Sequence, residues 1–134
     1  MSEIRYARKS DLEILKTLDH ISHEELEYII ERRRIIVMTA GESIIGWLRY
    51  GLFWDNTPFM NMLYFLDGAR RKGNGTRLVS FWESEMRALG YDTVMTSTLA
   101  DEEGQFFYRR LGYTESGALF LPGESAEIIF IKKI

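Results

Sequence analysis

The 134-residue sequence contains no cysteine. Disulfides, thiolate nucleophiles and cysteine metal sites are therefore excluded, and the composition fits a reducing compartment. No apolar run approaches the roughly 20 residues of a membrane span. The first residues, MSEIRYARKSDLE, lack the apolar core of a signal peptide. The expectation is a cytoplasmic domain with no membrane partner. A strongly basic balance is missing too: the net charge is −3 and the pI about 5.5. No overall field recruits nucleic acid, and the clusters Arg32-Arg33-Arg34 and Arg70-Arg71-Lys72 are too short to overturn that. There are no repeats, low-complexity segments or linkers. Hydrophobic residues make up 46% and charged residues 28%, as in an ordinary globular protein. The length gives one domain, residues 1–134, with a proper core.

What is present centres on residues 59–89. The run Phe59 to Leu66 (FMNMLYFL) reads as a buried strand. From Thr76 to Leu89, apolar Leu78, Val79, Trp82, Met86 and Leu89 recur at helical spacing. Between them lies Arg70-Arg71-Lys72-Gly73-Asn74-Gly75-Thr76. Strand, glycine-and-cation loop and helix together make an anion site. The free N–H groups of the first helical turn point one way, and the macrodipole places partial positive charge there. Gly73 and Gly75 can adopt backbone angles closed to other residues, and Arg70, Arg71 and Lys72 add full charges. The competing reading is a solvated turn before a helix. Two other phosphate loops do not match. Walker A requires Lys-Ser/Thr after its last glycine, where Thr76-Arg77 stands; the dinucleotide fingerprint requires glycine at the position of Leu78.

The rest of the chain reads as an alternation of strands and helices. Glu3 to Ala7 alternates as a first strand. Ser10 or Asp11 can cap a helix carrying Leu12, Leu15 and Leu18. Ser22 with Glu25 makes a capping box for a helix carrying Leu26, Ile29 and Ile30. Strands follow at Ile35 to Thr39 and Ser43 to Phe53, then turn residues from Trp54 to Pro58. After the central helix, Gly90 suits a left-handed C-cap. A strand at Asp92 to Ser97 precedes a short helix, Glu102 to Leu111, with Asp101 available as its cap, acids in its first turn and Arg109-Arg110 in its last. Gly112 closes it. Strands Tyr113 to Leu121 and Ala126 to Ile131 form a hairpin through Pro122-Gly123-Glu124. The fold class is α/β.

Two of these segments, taken together, resemble the GNAT-type N-acetyltransferases. Arg70-x-x-Gly73-x-Gly75 resembles that family's acyl-CoA pyrophosphate loop, Q/R-x-x-G-x-G/A. Phe107-Tyr108-Arg109-Arg110-Leu111-Gly112-Tyr113 resembles its second signature, roughly F-Y-x-x-L-G-F/Y. The resemblance is specific from about Ser43 to Tyr113 and generic elsewhere. It implies a mixed, twisted sheet of six or seven strands with about four helices and a splayed central strand pair. It also implies acetyl-CoA as cosubstrate, with no metal. Leu63 and Phe65 on the central strand would hydrogen-bond the pantetheine arm through their backbone. Backbone N–H groups from Arg71 to Thr76, through Lys72, Gly73, Asn74 and Gly75, would hold the pyrophosphate beside Arg70.

The implied chemistry is acetyl transfer to a primary amine by direct attack through a tetrahedral intermediate. Tyr108 holds the family position that donates a proton to the departing CoA thiolate. Its competing reading is a core aromatic beside Phe106 and Phe107 with a locally satisfied hydroxyl. The sequence departs from the family twice. Asp101 stands where an Asn commonly contacts pantetheine, and an Asp there is also a plausible N-cap. Asn61 stands where a Glu often acts as base through water, and an amide takes no proton. The base is unassigned; Asp55, Glu24, His20 and His23 are candidates by type only. The acceptor is an amine on an unidentified small molecule or peptide, and the acidic balance mildly favours a cationic one. Trp47, Tyr50, Phe53, Trp54 and Phe59 place aromatics near the implied cleft, although strand alternation would send some to the core. A non-catalytic acyl-CoA sensor or scaffold of the same fold is the alternative. Exposed strand edges are compatible with a homodimer.

Overall fold

The computed structural model describes residues 2–134. Seven strands are observed: β1 Ser2–Tyr6, β2 Ile35–Ala40, β3 Ser43–Phe53, β4 Thr57–Phe65, β5 Thr93–Leu99, β6 Thr114–Leu119 and β7 Glu127–Lys133. Four α-helices accompany them: α1 Leu12–Leu18, α2 His23–Glu31, α3 Asn74–Ala88 and α4 Gly104–Arg110. The sheet order is β1-β2-β3-β4-β5-β7-β6. β1 and β2, β2 and β3, β5 and β7, and β6 and β7 pair antiparallel, whereas β4 and β5 pair in parallel. This is the mixed sheet with four helices that the resemblance implies.

The chain divides into two compact units, Met1–Tyr50 with Met62–Phe81 and Gly51–Asn61 with Trp82–Ile134. In the first, Leu12, Leu15, Leu26 and Ile30 from α1 and α2 pack with Ile35, Val37 and Trp47 from β2 and β3. These are the apolar positions of two short amphipathic helices meeting alternate positions of two strands. In the second, the fully or nearly fully buried residues include Met60, Trp82, Met86, Val94, Thr96, Tyr108, Tyr113 and Phe130.

Local signals explain most element ends. The Ser22 hydroxyl accepts from the Glu25 N–H at 3.2 Å, as an N-cap should. Gly90 and Gly112 take positive φ (96° and 94°) at the ends of α3 and α4. Asp11 precedes α1 without capping it. Its carboxylate instead accepts from the Arg8 N–H at 2.6 Å and from both terminal nitrogens of Arg5 at 2.8 and 3.1 Å. Asp101 does not cap α4, which begins at Gly104 with Glu103 before it. The Asp101 carboxylate accepts instead from the Ser125 hydroxyl at 2.9 Å, a partner 24 residues away. Leu89, expected on the apolar face of the central helix, falls beyond the end of α3 and is 63% exposed.

Candidate active site

The glycine-and-cation loop lies wholly in the first unit. β4 ends at Phe65, a short 3-10 turn covers Asp67–Ala69, and α3 starts at Asn74. Arg70 is fastened where strand gives way to loop. Its Nε donates to the Phe65 carbonyl at 2.8 Å, its guanidinium meets Asp67 at 3.2 Å, and it stacks over the Tyr64 ring at 4.9 Å. Asn74 Nδ2 donates to the Ala69 carbonyl at 2.9 Å, closing the loop on itself. Two loop residues adopt left-handed backbone, Arg71 at φ +59° and Gly73 at φ +78°. Such alternation turns successive N–H groups to one side and forms an anion-binding concavity. Gly75 was expected to share this freedom; it lies within α3 instead, and Arg71 takes the second unusual conformation. A Cβ on Gly73 would meet nothing within 4 Å, so glycine is needed there for its φ and not for space. Arg71 and Lys72 are exposed, and among the described residues neither has an acidic partner within ion-pair distance. The loop therefore presents free cations and free N–H groups together.

The second motif lies in the second unit. Tyr108 is 7% exposed. Its hydroxyl donates to Met60 Sδ at 3.6 Å, and its ring meets Tyr113 edge-on with centroids 5.6 Å apart. Burial pushes the phenol up to about 12, although the Thr96 hydroxyl beside it works the other way. The Thr96 hydroxyl donates to the Met60 carbonyl at 3.0 Å. Two residues further along β5, Thr98 Oγ1 is buried without a hydrogen-bond partner. Thr96 and Thr98 share one face of β5 by strand alternation. The observed parallel register of β4 on β5 pairs Phe59 with Met95 and Met60 with Thr96. An orphaned hydroxyl beyond that pairing fits a polar ligand arm, such as an amide-bearing pantetheine, as its partner. Neither threonine stood out in the sequence; their period of two along β5 was the available signal.

The other site residues are placed as follows. Leu63 is half-buried on β4, and Phe65 is buried with its carbonyl taken by Arg70. Asn61 is exposed on β4. Asp55, Glu24, His20 and His23 are all exposed. Asp55 occupies the β3–β4 turn, His23 lies 3.8 Å from Glu27, and His20 lies 3.6 Å from Asp19. Of the five aromatics, Trp47 and Tyr50 are buried, Phe53 and Phe59 half-buried, and Trp54 81% exposed. Among the described residues, no group of three or more His, Asp or Glu side chains is placed to hold a metal ion. No helix among them is long and apolar enough to cross a membrane.

A glycine-and-cation loop opening a helix and, further along the chain, a short helix carrying a buried tyrosine are thus both present, in that order. The sequence pattern of the acetyltransferase (GNAT) domain matches residues 31–115, well over half of the chain, and the protein belongs to that family. No curated protein matches its sequence. Among solved structures, a GNAT-family acetyltransferase from Bacillus cereus ATCC 10987 is 26% identical with a TM-score of 0.78, covering 99% of this chain and 97% of that one. The ribosomal-protein-S18-alanine N-acetyltransferase of Escherichia coli is 16% identical with a TM-score of 0.82, covering 100% and 94%. The yncA protein of Salmonella typhimurium, solved with acetyl-CoA, is 14% identical with a TM-score of 0.83, covering 99% and 94%. At those lower identities the likeness is one of fold.

Proposed function

We propose that the protein is an acetyl-CoA-dependent N-acetyltransferase that moves the acetyl group to a primary amine. The observation that carries this reading is the loop from Arg70 to Thr76. Its left-handed Arg71 and Gly73, its unpaired cations and the start of α3 suit a pyrophosphate. Membership of the acetyltransferase family and the acetyl-CoA in the yncA structure support it.

In this reading the N–H groups from Arg71 to Thr76, with Lys72 and Asn74 among them, hold the pyrophosphate, and Arg70 fixes the loop to β4. The backbone of Leu63 and Phe65 lies along the pantetheine arm. On β5, Thr98 Oγ1 gains the partner it lacks. Asp101, held by Ser125, stands near the start of α4 and contacts the arm at most through its free oxygen. The acceptor ammonium first gives a proton to solvent, and the neutral amine attacks the thioester carbonyl. The carbon–sulfur bond then breaks, the leaving thiolate takes a proton from Tyr108, and the proton shed by the new amide nitrogen restores the phenol. A phenol pushed up to about 12 stays protonated at neutral pH. It can therefore act as the acid and does not compete as a base.

Titrating acetyl-CoA, CoA and ATP into the wild type and Gly73→Ala while following the melting temperature tests the reading. A ligand that binds only the native state raises that temperature according to its affinity. Acetyl-CoA and CoA should stabilise the wild type by several degrees, ATP less, and the variant should lose most of the shift while still melting cooperatively. Absence of any shift with both CoA forms would defeat the reading. Stabilisation without thiol release in the presence of amines would leave an acyl-CoA sensor.

A further inference from the structure

The β3–β4 hairpin turns at Trp54 and Asp55, and both have positive φ, 54° and 62°. The Asn56 N–H closes the turn on the Phe53 carbonyl at 3.2 Å. Two successive left-handed residues make a type I′ turn, whose usual occupants are Asn and Gly. A tryptophan there pays a conformational cost, and at 81% exposure it gains no core burial in return. Strain held at the surface by a large aromatic points to a ligand.

The aromatic series leads from that turn into a groove of about 410 Å³. Trp54 packs on Phe53 with centroids 4.8 Å apart, and Phe53 stacks on Phe59 at 6.0 Å. Phe53 and Phe59 line the groove together with Leu119 and Ile129. Leu119 is 51% exposed, and the two residues after it in the chain, Phe120 and Leu121, are 84% and 45% exposed. The polar lining comes from Asn61 and Ser97. The Ser97 hydroxyl donates to Glu127 Oε2 at 2.7 Å. Glu127 shares a face of β7 with Ile129, two residues on, and no cation among the described residues pairs with it. Phe59 and Asn61 alternate with Met60 along β4, and Ser97 alternates with Thr96 along β5. The groove thus opens on the face of these strands opposite Tyr108.

We infer that this groove receives the acceptor, a small primary amine borne on an aromatic or branched aliphatic body. The ammonium is recognised by the Ser97–Glu127 pair, and the body lies against Phe53, Phe59 and Leu119 with Trp54 at the rim. This assignment rests on the acetyltransferase reading. One carboxylate, bonded to the lining Ser97 beside apolar walls, matches one cation with an apolar body. A polyamine or aminoglycoside would bring further charges and hydroxyls to walls that offer them no partners.

Steady-state thiol release with 2-phenylethylamine and with spermidine, on the wild type, Glu127→Gln and Trp54→Gly, tests the inference. Phenylethylamine should be preferred at least tenfold in kcat/KM. Glu127→Gln should raise the phenylethylamine KM about tenfold and leave the acetyl-CoA KM unchanged. Trp54→Gly, which suits the turn, should raise it severalfold with an unchanged or higher melting temperature. Preference for spermidine, or an unchanged phenylethylamine KM in Glu127→Gln, overturns the groove assignment while leaving the acetyltransferase reading intact. If neither amine is acetylated, calorimetric titration of phenylethylamine into the CoA-loaded protein decides separately. Saturable binding weakened in Glu127→Gln supports the groove, and no binding overturns it.

Discussion

Tyr113 and Glu83, thirty positions apart, are joined by a 2.7 Å hydrogen bond from the phenol to a buried carboxylate. Lys132 Nζ reaches the same carboxylate at 3.0 and 3.2 Å. Glu83 is thereby compensated by a cation and a neutral donor from two other elements, as a buried acid must be. The tyrosine that closes the second motif is a clasp between α3 and the start of β6, while Tyr108, five residues earlier, faces β4 and β5. Removing the cation should be costly. Lys132→Met should lose about 3 kcal/mol, and Tyr113→Phe about 1–2 kcal/mol, because each leaves part of a buried carboxylate unmatched. Urea denaturation reads both values, and a Lys132→Met protein as stable as wild type would contradict the clasp.

A second buried acid holds the first unit. Asp19 follows α1 with its carboxylate fully covered, accepting from Arg49 Nε at 2.8 Å, Trp47 Nε1 at 2.9 Å and the His20 N–H at 2.7 Å. Burial pushes its carboxyl up, but Arg49, the His20 N–H and Trp47 outweigh burial and hold it below the usual value. The folded carboxyl therefore titrates below the unfolded one, which lies near 3.9. The stability it contributes is complete above about pH 4 and is lost as pH falls further. Asp19→Asn should cost about 3–5 kcal/mol at pH 7 by leaving Arg49 buried and unpaired. Its stability should also fall less steeply than wild type between pH 4 and pH 2 in denaturant titrations, with Asp11 and the exposed Glu13, both also held below their usual values, contributing to the slope that remains.

Gly46 on β3 admits no side chain. A Cβ there would overlap the ring of Phe65, which is buried at the end of β4. Gly46→Ala must displace that ring, an overpacking defect worth about 1–3 kcal/mol. Because Phe65 supplies the carbonyl that fixes Arg70, the variant should also weaken acetyl-CoA binding. Calorimetric Tm and an acetyl-CoA titration on the same sample would show the two losses together, and an undisturbed Tm would rule out the overlap.

Tyr108→Phe separates chemistry from packing. The ring and its contacts remain, and what is lost is a long hydrogen bond to Met60 Sδ and the phenol's interaction with the Thr96 hydroxyl. The melting temperature should move by no more than about 2 °C, which corresponds to a few tenths of a kcal/mol. If Tyr108 is the acid to the thiolate, kcat should fall about 100-fold with the acetyl-CoA KM unchanged. An unchanged kcat would return Tyr108 to a core aromatic.

Alkaline stability follows from the same tyrosine and its neighbour. Burial raises both Tyr108 and Tyr113, the second further by the Glu83 carboxylate. A folded phenol that titrates above its unfolded value near 10 contributes stability that is complete below pH 10 and lost as pH rises past it. Wild type should lose stability steeply above pH 10, and Tyr108→Phe less steeply. Parallel curves from pH 9 to pH 11.5 would contradict the burial of Tyr108.

The central strand, loop and helix were legible because three independent local signals coincide within thirty residues: an apolar run, a glycine-and-cation turn, and helical spacing at Leu78, Val79, Trp82 and Met86. The second motif was legible for the same reason. Asp101 was misread as a cap because capping chemistry is local, whereas its actual partner, Ser125, is brought to it by the β6–β7 connection. The aromatics near β3 and β4 could not be sorted from the sequence. Alternation says that neighbours face opposite ways, but not which face is covered.

The sequence by itself determined the element order, the turns, the place of the glycine-and-cation loop and the family, because these depend on spacing, capping and backbone freedom within a few residues. Only the tertiary structure decided the pairs Asp19–Arg49, Glu83–Tyr113 and Ser97–Glu127, each joined across about thirty residues of chain. It also decided that Thr98 is left without a partner and that Phe53 and Phe59 line a groove while Trp47 is buried. Contacts of that kind depend on which strands become neighbours in the sheet. The order β5-β7-β6 is set by the burial of whole faces at once, and no short stretch of sequence carries it.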